Sequence, residues 1–220
     1  MGSNGGMRPS RPESAPLVRA GIGSDAPVAA SLHADQIAGG FLSFLGAGFL
    51  TRLYRRISRS PGSFLLVAEA DGRVVGFVAG SGDVRGLYRS FLWHDGVPAA
   101  LSVAGRLLRR WRLAVETLRH GSADGGGKGE GVELLAIAVE PGHQGAGVGR
   151  ALVGSFLDRV EQGPDRAAYV VVASDNAGAV GLYLRAGFAV DQEFELHSGA
   201  SSLLMQWRRP DPAAGTGDRA

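Results

Sequence analysis

The chain contains no cysteine. That excludes disulfides, thiolate-ligated metal sites and any acyl-cysteine intermediate. It has a single lysine, Lys128, so arginine carries nearly all of its positive charge. No run approaches the roughly 18 consecutive apolar residues that a transmembrane helix needs. The first residues, MGSNGGMRPSRPESAP, hold no apolar segment of a secretory signal. These absences predict a soluble, cytoplasmic protein. An excess of either charge is lacking too, with 23 basic and 21 acidic residues leaving a formal net charge of +2 over 220 residues. Such a balance gives no strong steering toward nucleic acid, and no nucleic-acid partner is expected. The five histidines are scattered without metal-ligand spacing, so no metal is expected either.

What is present suffices for one domain. The apolar fraction is 45%, enough for a core at this length. Residues 1–16 and 209–220 are rich in Gly, Pro, Ser and Ala and are predicted to be disordered. Residues 17–208 form the domain. Leu17–Ala20 reads as a short strand, and apolar spacing predicts helices over Ala29–Gly39 and Gly48–Arg59. Phe64–Glu69 and Val74–Ala79 are strand-like runs around Asp71-Gly72, a hairpin signal. Residues 81–131 are a long insertion. Within it Val97, Leu101, Ala104, Leu108, Trp111, Val115 and Leu118 recur at helical steps, with Pro98 near the start and Gly125–Gly129 as a linker. Val132–Val139 and Ala167–Ala173 read as buried strands. Helices are predicted at Gly147–Gln162 and Asn176–Ala186, and last strands at Phe188–Leu196 and Ser201–Trp207. The order implies an α/β fold with a mixed sheet.

The chemistry concentrates in Glu133-Leu-Leu-Ala-Ile-Ala-Val-Glu-Pro-Gly-His-Gln144-Gly-Ala-Gly-Val-Gly149-Arg150. A strand enters a glycine loop that opens a helix. Gly145, Gly147 and Gly149 let backbone approach an anion, and the free N–H groups of the helix start point at it. The Walker pattern is absent, and Arg150 stands where a dinucleotide fingerprint needs its third glycine.

Gln144-Gly145-Ala146-Gly147-Val148-Gly149 resembles the Gln/Arg-x-x-Gly-x-Gly/Ala signature of GNAT N-acetyltransferases. About 30 residues on, Asn176 and Leu182-Tyr183-Leu184-Arg185-Ala186-Gly187-Phe188 are similar to that family's second motif. The resemblance implies the GNAT fold: a mostly antiparallel sheet with splayed parallel strands, flanked by helices, here with a helical insertion at about 81–131. It implies acetyl-CoA as co-substrate. Ile137, Ala138, Val139, Gln144, Gly145, Ala146, Gly147, Val148, Gly149, Arg150 and Asn176 would then bind it, with the Val139 N–H as oxyanion donor. Tyr183, otherwise readable as a core tyrosine, becomes the general acid. Glu133, otherwise an exposed carboxylate at a strand start, becomes the candidate base. It lies eleven residues before Gln144, the offset of the base in the histone acetyltransferase branch. Ribosomal-protein N-terminal acetylases carry a glutamate where this chain has Val171. His33 and Tyr54 fall where similar enzymes build the acceptor pocket, and His143 reads as surface filler.

The resemblance leads to a small-molecule amine acceptor, such as an amino sugar. The alternatives are a protein N-terminal or lysine acetyltransferase, and a non-catalytic acyl-CoA-binding module. The insertion reads as a packing element, as a lid bringing Tyr88, Trp93 and His94 to the pocket, or as a basic helix in peripheral contact with a membrane. The insertion and the last strands are also the candidate surfaces for a homodimer.

Overall fold

A computed structural model describes residues 16–37, 41–109, 129–196 and 200–210. The segments expected to be disordered therefore lie almost wholly outside the described residues. So do Trp111, Val115 and Leu118 of the insertion and most of its glycine linker.

The elements are β1 (Leu17–Ala20), α1 (Ala26–Gln36), α2 (Phe41–Leu45), α3 (Ala47–Ile57), β2 (Ser63–Ala70), β3 (Arg73–Ser81) and α4 (Val84–Arg109). They continue with β4 (Val132–Val139), a 3-10 turn at Pro141–His143, α5 (Val148–Gln162), β5 (Ala167–Ala173), α6 (Ala177–Arg185), β6 (Ala189–Leu196) and β7 (Ala200–Arg208). One seven-stranded sheet has the order β1-β2-β3-β4-β5-β7-β6. Every neighbouring pair is antiparallel except β4–β5.

Asp71 and Gly72 both have positive φ, 50° and 76°, which is the twist a two-residue hairpin asks for. Alternation along β2 sends Leu66 and Ala68 to one face of the sheet and Leu65 and Val67 to the other. Leu152, Val153, Phe156 and Val160 of α5 cover the first face. Ala29 and Ala30 of α1 and Leu50, Leu53 and Ile57 of α3 cover the second. The result is three layers, with the sheet in the middle. Arg19 ties β1 to both flanks, reaching Asp25 at 2.8 Å and Glu69 at 2.6 Å.

The insertion departs from its sequence reading. Its helix does not open at Pro98; α4 starts at Val84 and runs through the proline. The start is set by Asp83, whose Oδ1 accepts the Gly86 N–H at 2.8 Å, as an N-cap does. Arg56 of α3 holds the helix by an ion pair to Asp95 at 2.7 Å. The short helix α2 has no counterpart among the expected elements.

Candidate active site

The parallel pair β4–β5 is joined at only two positions, Val132↔Ala168 and Glu133↔Tyr169. Beyond them the strands part, and among the described residues the outer half of β4 has a strand neighbour only in β3. The Glu140 N–H donates to the Val75 carbonyl at 2.8 Å. By the alternation of an antiparallel ladder, Ala138 then bonds β3, while the backbone groups of Ile137 and Val139 face the gap. Ala138, grouped with them from the sequence, offers the gap nothing: its side chain is buried in the α1–α3 core.

The loop after β4 has the shape its glycines foretold. Gly145 and Gly147 have φ of 80° and 84°, and a Cβ on either would meet no atom within 4 Å. Gly147 caps α5 without any side-chain bond, so the first-turn N–H groups of Val148, Gly149 and Arg150 remain available to an anion. The Val148 side chain is buried in the core and anchors the turn, which leaves only its backbone for binding. Gln144 braces the loop: its Nε2 donates to the Val139 carbonyl at 3.0 Å and to Gln36 Oε1 at 3.2 Å. Asn176 caps α6, its Oδ1 accepting the Ala179 N–H at 3.1 Å. His143 is not loose surface; its Nδ1 lies 3.0 Å from Glu140 Oε2, which Arg73 also holds.

Tyr183 is 3% exposed, with its ring against Phe188 at 5.6 Å. Burial pushes its phenol above the ordinary value, and no hydrogen bond among the described residues offsets this. The hydroxyl is thus protonated at neutral pH and keeps its proton to give.

Glu133 lies at the root of the gap, on the opposite face. It lines a cavity of about 80 Å³ with Leu135 and Ala136 of β4, His33 of α1, Tyr54 of α3 and Tyr88 of α4. A register shift in the β3–β4 ladder beside Ala79 and Gly80 lets Leu135 and Ala136 both belong to this side. Burial raises the Glu133 pKa, and a hydrogen bond from the Tyr169 hydroxyl, 2.8 Å from Oε2, opposes that shift. His33 and Tyr54 join at 2.5 Å. Burial lowers the pKa of the imidazole, which favours its neutral form. Tyr88 keeps 40% of its surface exposed, yet its phenol meets the cavity, where burial and the Glu133 charge raise its pKa. Trp93 and His94 do not join it; Trp93 is 83% exposed, and the His94 ring bonds the Ser90 carbonyl one turn back.

The arrangement is an open anion cradle, a gap faced by backbone groups of Ile137 and Val139, a protonated phenol on one face and a carboxylate on the other. Sequence reasoning missed Tyr169, because its partnership with Glu133 depends on strand register.

The Acetyltransferase (GNAT) family model matches residues 39–188, more than half of the chain. N-alpha-acetyltransferase RimI of Mycobacterium tuberculosis is 33% identical over 84 residues, which cover 37% of this chain and 51% of RimI. The mycothiol acetyltransferase of Actinosynnema mirum is 34% identical over 96 residues, covering 43% of this chain and 28% of that protein. The chain therefore spans about half and about a quarter of the lengths of these relatives. The yncA structure from Salmonella typhimurium, determined with its cofactor acetyl-CoA, matches with a TM-score of 0.59 at 18% identity, over 93% of this chain and 100% of that one. That likeness bears on the fold, and among the described residues no helix is long and apolar enough to cross a membrane. Motif, fold and family match agree: the chain belongs to the GNAT acetyltransferase family.

Proposed function

We propose that the protein transfers the acetyl group of acetyl-CoA directly to a primary amine of a small molecule, in the cytoplasm. The observation that carries this reading is the placement of Glu133 in a small cavity at the root of the β4–β5 gap. The cavity, about 80 Å³, exceeds the roughly 10–15 Å³ that a single water needs on the same measure, so it has room for more than one water beside Glu133.

Acetyl-CoA supplies an activated acetyl thioester when bound. The open cradle at Gly145 and Gly147 and the uncapped start of α5 suit its pyrophosphate. The exposed edge of β4 at Ile137 and Val139 suits its amide-bearing arm. The Val139 N–H is the donor proposed for the developing oxyanion. An alkyl amine has a pKa near 10 and is mostly protonated at pH 7. Glu133 takes that proton, the neutral nitrogen attacks the thioester carbonyl, and as the C–S bond breaks Tyr183 gives its proton to the departing thiolate, while the second proton shed by the attacking nitrogen restores the phenol.

A second reading, acetylation of a protein N-terminus, draws on the RimI similarity. Against it stands Val171, an exposed apolar side chain on β5 where ribosomal-protein acetylases of the family carry their glutamate.

The test is release of free CoA with a panel of amino sugars, polyamines, amino acids and short peptides. Turnover with one small-molecule class and none with peptides is expected; the reverse pattern would overturn the small-molecule acceptor. The cradle gives its own prediction. Gly147→Val forces a β-branched residue to positive φ, a cost of about 1–3 kcal/mol, and fills the space left for the anion. The KM for acetyl-CoA should rise at least tenfold with the acceptor KM little changed; equal KM values for acetyl-CoA would remove Gly147 from the binding site.

A further inference from the structure

The insertion returns to the sheet beside the proposed base. Its last described residues, Gly129 to Gly131, cross the face of β5 and β7 that carries Tyr169 and Gln206, which are paired across the two strands. Gln206 holds the returning backbone at both of its polar groups. The Glu130 N–H donates to Gln206 Oε1 at 3.1 Å, and Gln206 Nε2 donates to the Glu130 carbonyl at 2.8 Å. Arg208 adds an ion pair to the Glu130 carboxylate at 2.8 Å. Gly129 lies so close to Tyr169 that a Cβ there would collide with the base of its ring. The hydroxyl at the other end of that ring donates to Glu133.

Gly129 therefore abuts the base of a ring whose other end holds the carboxylate. A phenol has two side-chain torsions and little freedom once its ring is clamped. The other titratable groups lining the cavity with Glu133 are Tyr88 from α4, Tyr54 from α3 and His33 from α1. Among the described residues, Tyr169 alone makes a hydrogen bond to the Glu133 carboxylate.

We propose that Tyr169 is a positioning residue for Glu133, and that the returning end of the insertion, through Gly129 and the Gln206 clamp on Glu130, fixes it in place. This rests on the reading of Glu133 as the base, but concerns the carboxylate itself and is measured without turnover. A hydroxyl donating to a carboxylate favours its charged form. Tyr169→Phe removes that donor, and Gly129→Ala displaces the ring that carries it. Both changes should raise the carboxyl pKa of Glu133.

The experiment is a pH titration of the full chain carrying 13C-labelled glutamate side chains, followed by NMR, with Glu133→Gln identifying the resonance. An upward shift of about one pH unit is expected in Tyr169→Phe, the scale of a hydrogen bond to an ionised group. A smaller shift of the same sign is expected in Gly129→Ala. Gln206→Leu, which cuts the clamp and leaves the Tyr169 hydroxyl in place, should shift it in the same direction. An unmoved pKa in folded Tyr169→Phe overturns the proposal. A shift in Tyr169→Phe with none in Gly129→Ala and Gln206→Leu overturns the link to the insertion. Failure of the base reading shows elsewhere, as full turnover by Glu133→Gln.

Discussion

Tyr183→Phe is expected to lower kcat by about 10²–10⁴, the usual contribution of a positioned acid, while the KM for acetyl-CoA moves less than twofold. The substitution is isosteric, and the ring keeps its packing on Phe188. The lost hydroxyl has no hydrogen-bond partner among the described residues, so removing it leaves no protein group unsatisfied. The melting temperature should hold or rise. That separates this outcome from a folding defect, which would lower Tm and activity together. Because burial raises the phenol pKa, Tyr183 should add no alkaline limb to the rate profile below pH 10. Steady-state kinetics with the best acceptor of the panel decides the matter, and wild-type kcat in the folded variant would return Tyr183 to the role of a core residue.

The second large effect belongs to Glu133→Gln, and its signature is the dependence on pH. A base works only as the carboxylate. Burial raises its pKa above the ordinary glutamate value, so the acid limb of kcat/KM should lie above the usual carboxylate range. Activity is lost as pH falls through that limb and is full above it. Glutamine removes the limb and lowers kcat/KM by about 10²–10³ near neutrality. The deficit should not be constant. The neutral fraction of the acceptor rises about tenfold per pH unit up to its pKa near 10, and a free amine needs no base. The wild-type advantage should therefore shrink as pH rises. Parallel profiles at every pH would mean that Glu133 supplies shape or charge rather than proton transfer.

The residues with strong local signatures were legible before the structure. Asp71-Gly72 announced its hairpin, and Gly145 and Gly147 announced an open loop, because positive φ is a local demand that glycine meets. The Asn176 cap was legible as a helix boundary because its side-chain oxygen can accept a first-turn N–H. The start of α4 was not, although Asp83 is a good cap: the apolar stripe beside Pro98 outweighed a single polar residue fifteen positions before that proline. Tyr169 was hidden because its value depends on which residue of β4 stands opposite it. Register across a parallel pair is a tertiary property, with no trace in the spacing of either strand. His33 and Tyr54 were placed near the acceptor by resemblance, and their mutual hydrogen bond emerges only where α1 crosses α3.

The parting of β4 from β5 also leaves a seam in the hydrogen bonding of the sheet, bridged by the core under α5. Strands β1 to β4 and strands β5 to β7 are each stitched along their length, yet the two blocks share only two residue pairs of ladder. Sub-global opening should follow that seam, and amides bordering it should exchange with solvent at free energies below the global value. A ligand lying in the gap supplies the missing rungs and binds only the joined form. At a thousandfold excess over its Kd it adds about 4 kcal/mol to folding, and hydrogen exchange should slow in both blocks together. The co-substrate would then act as mortar for the sheet that binds it.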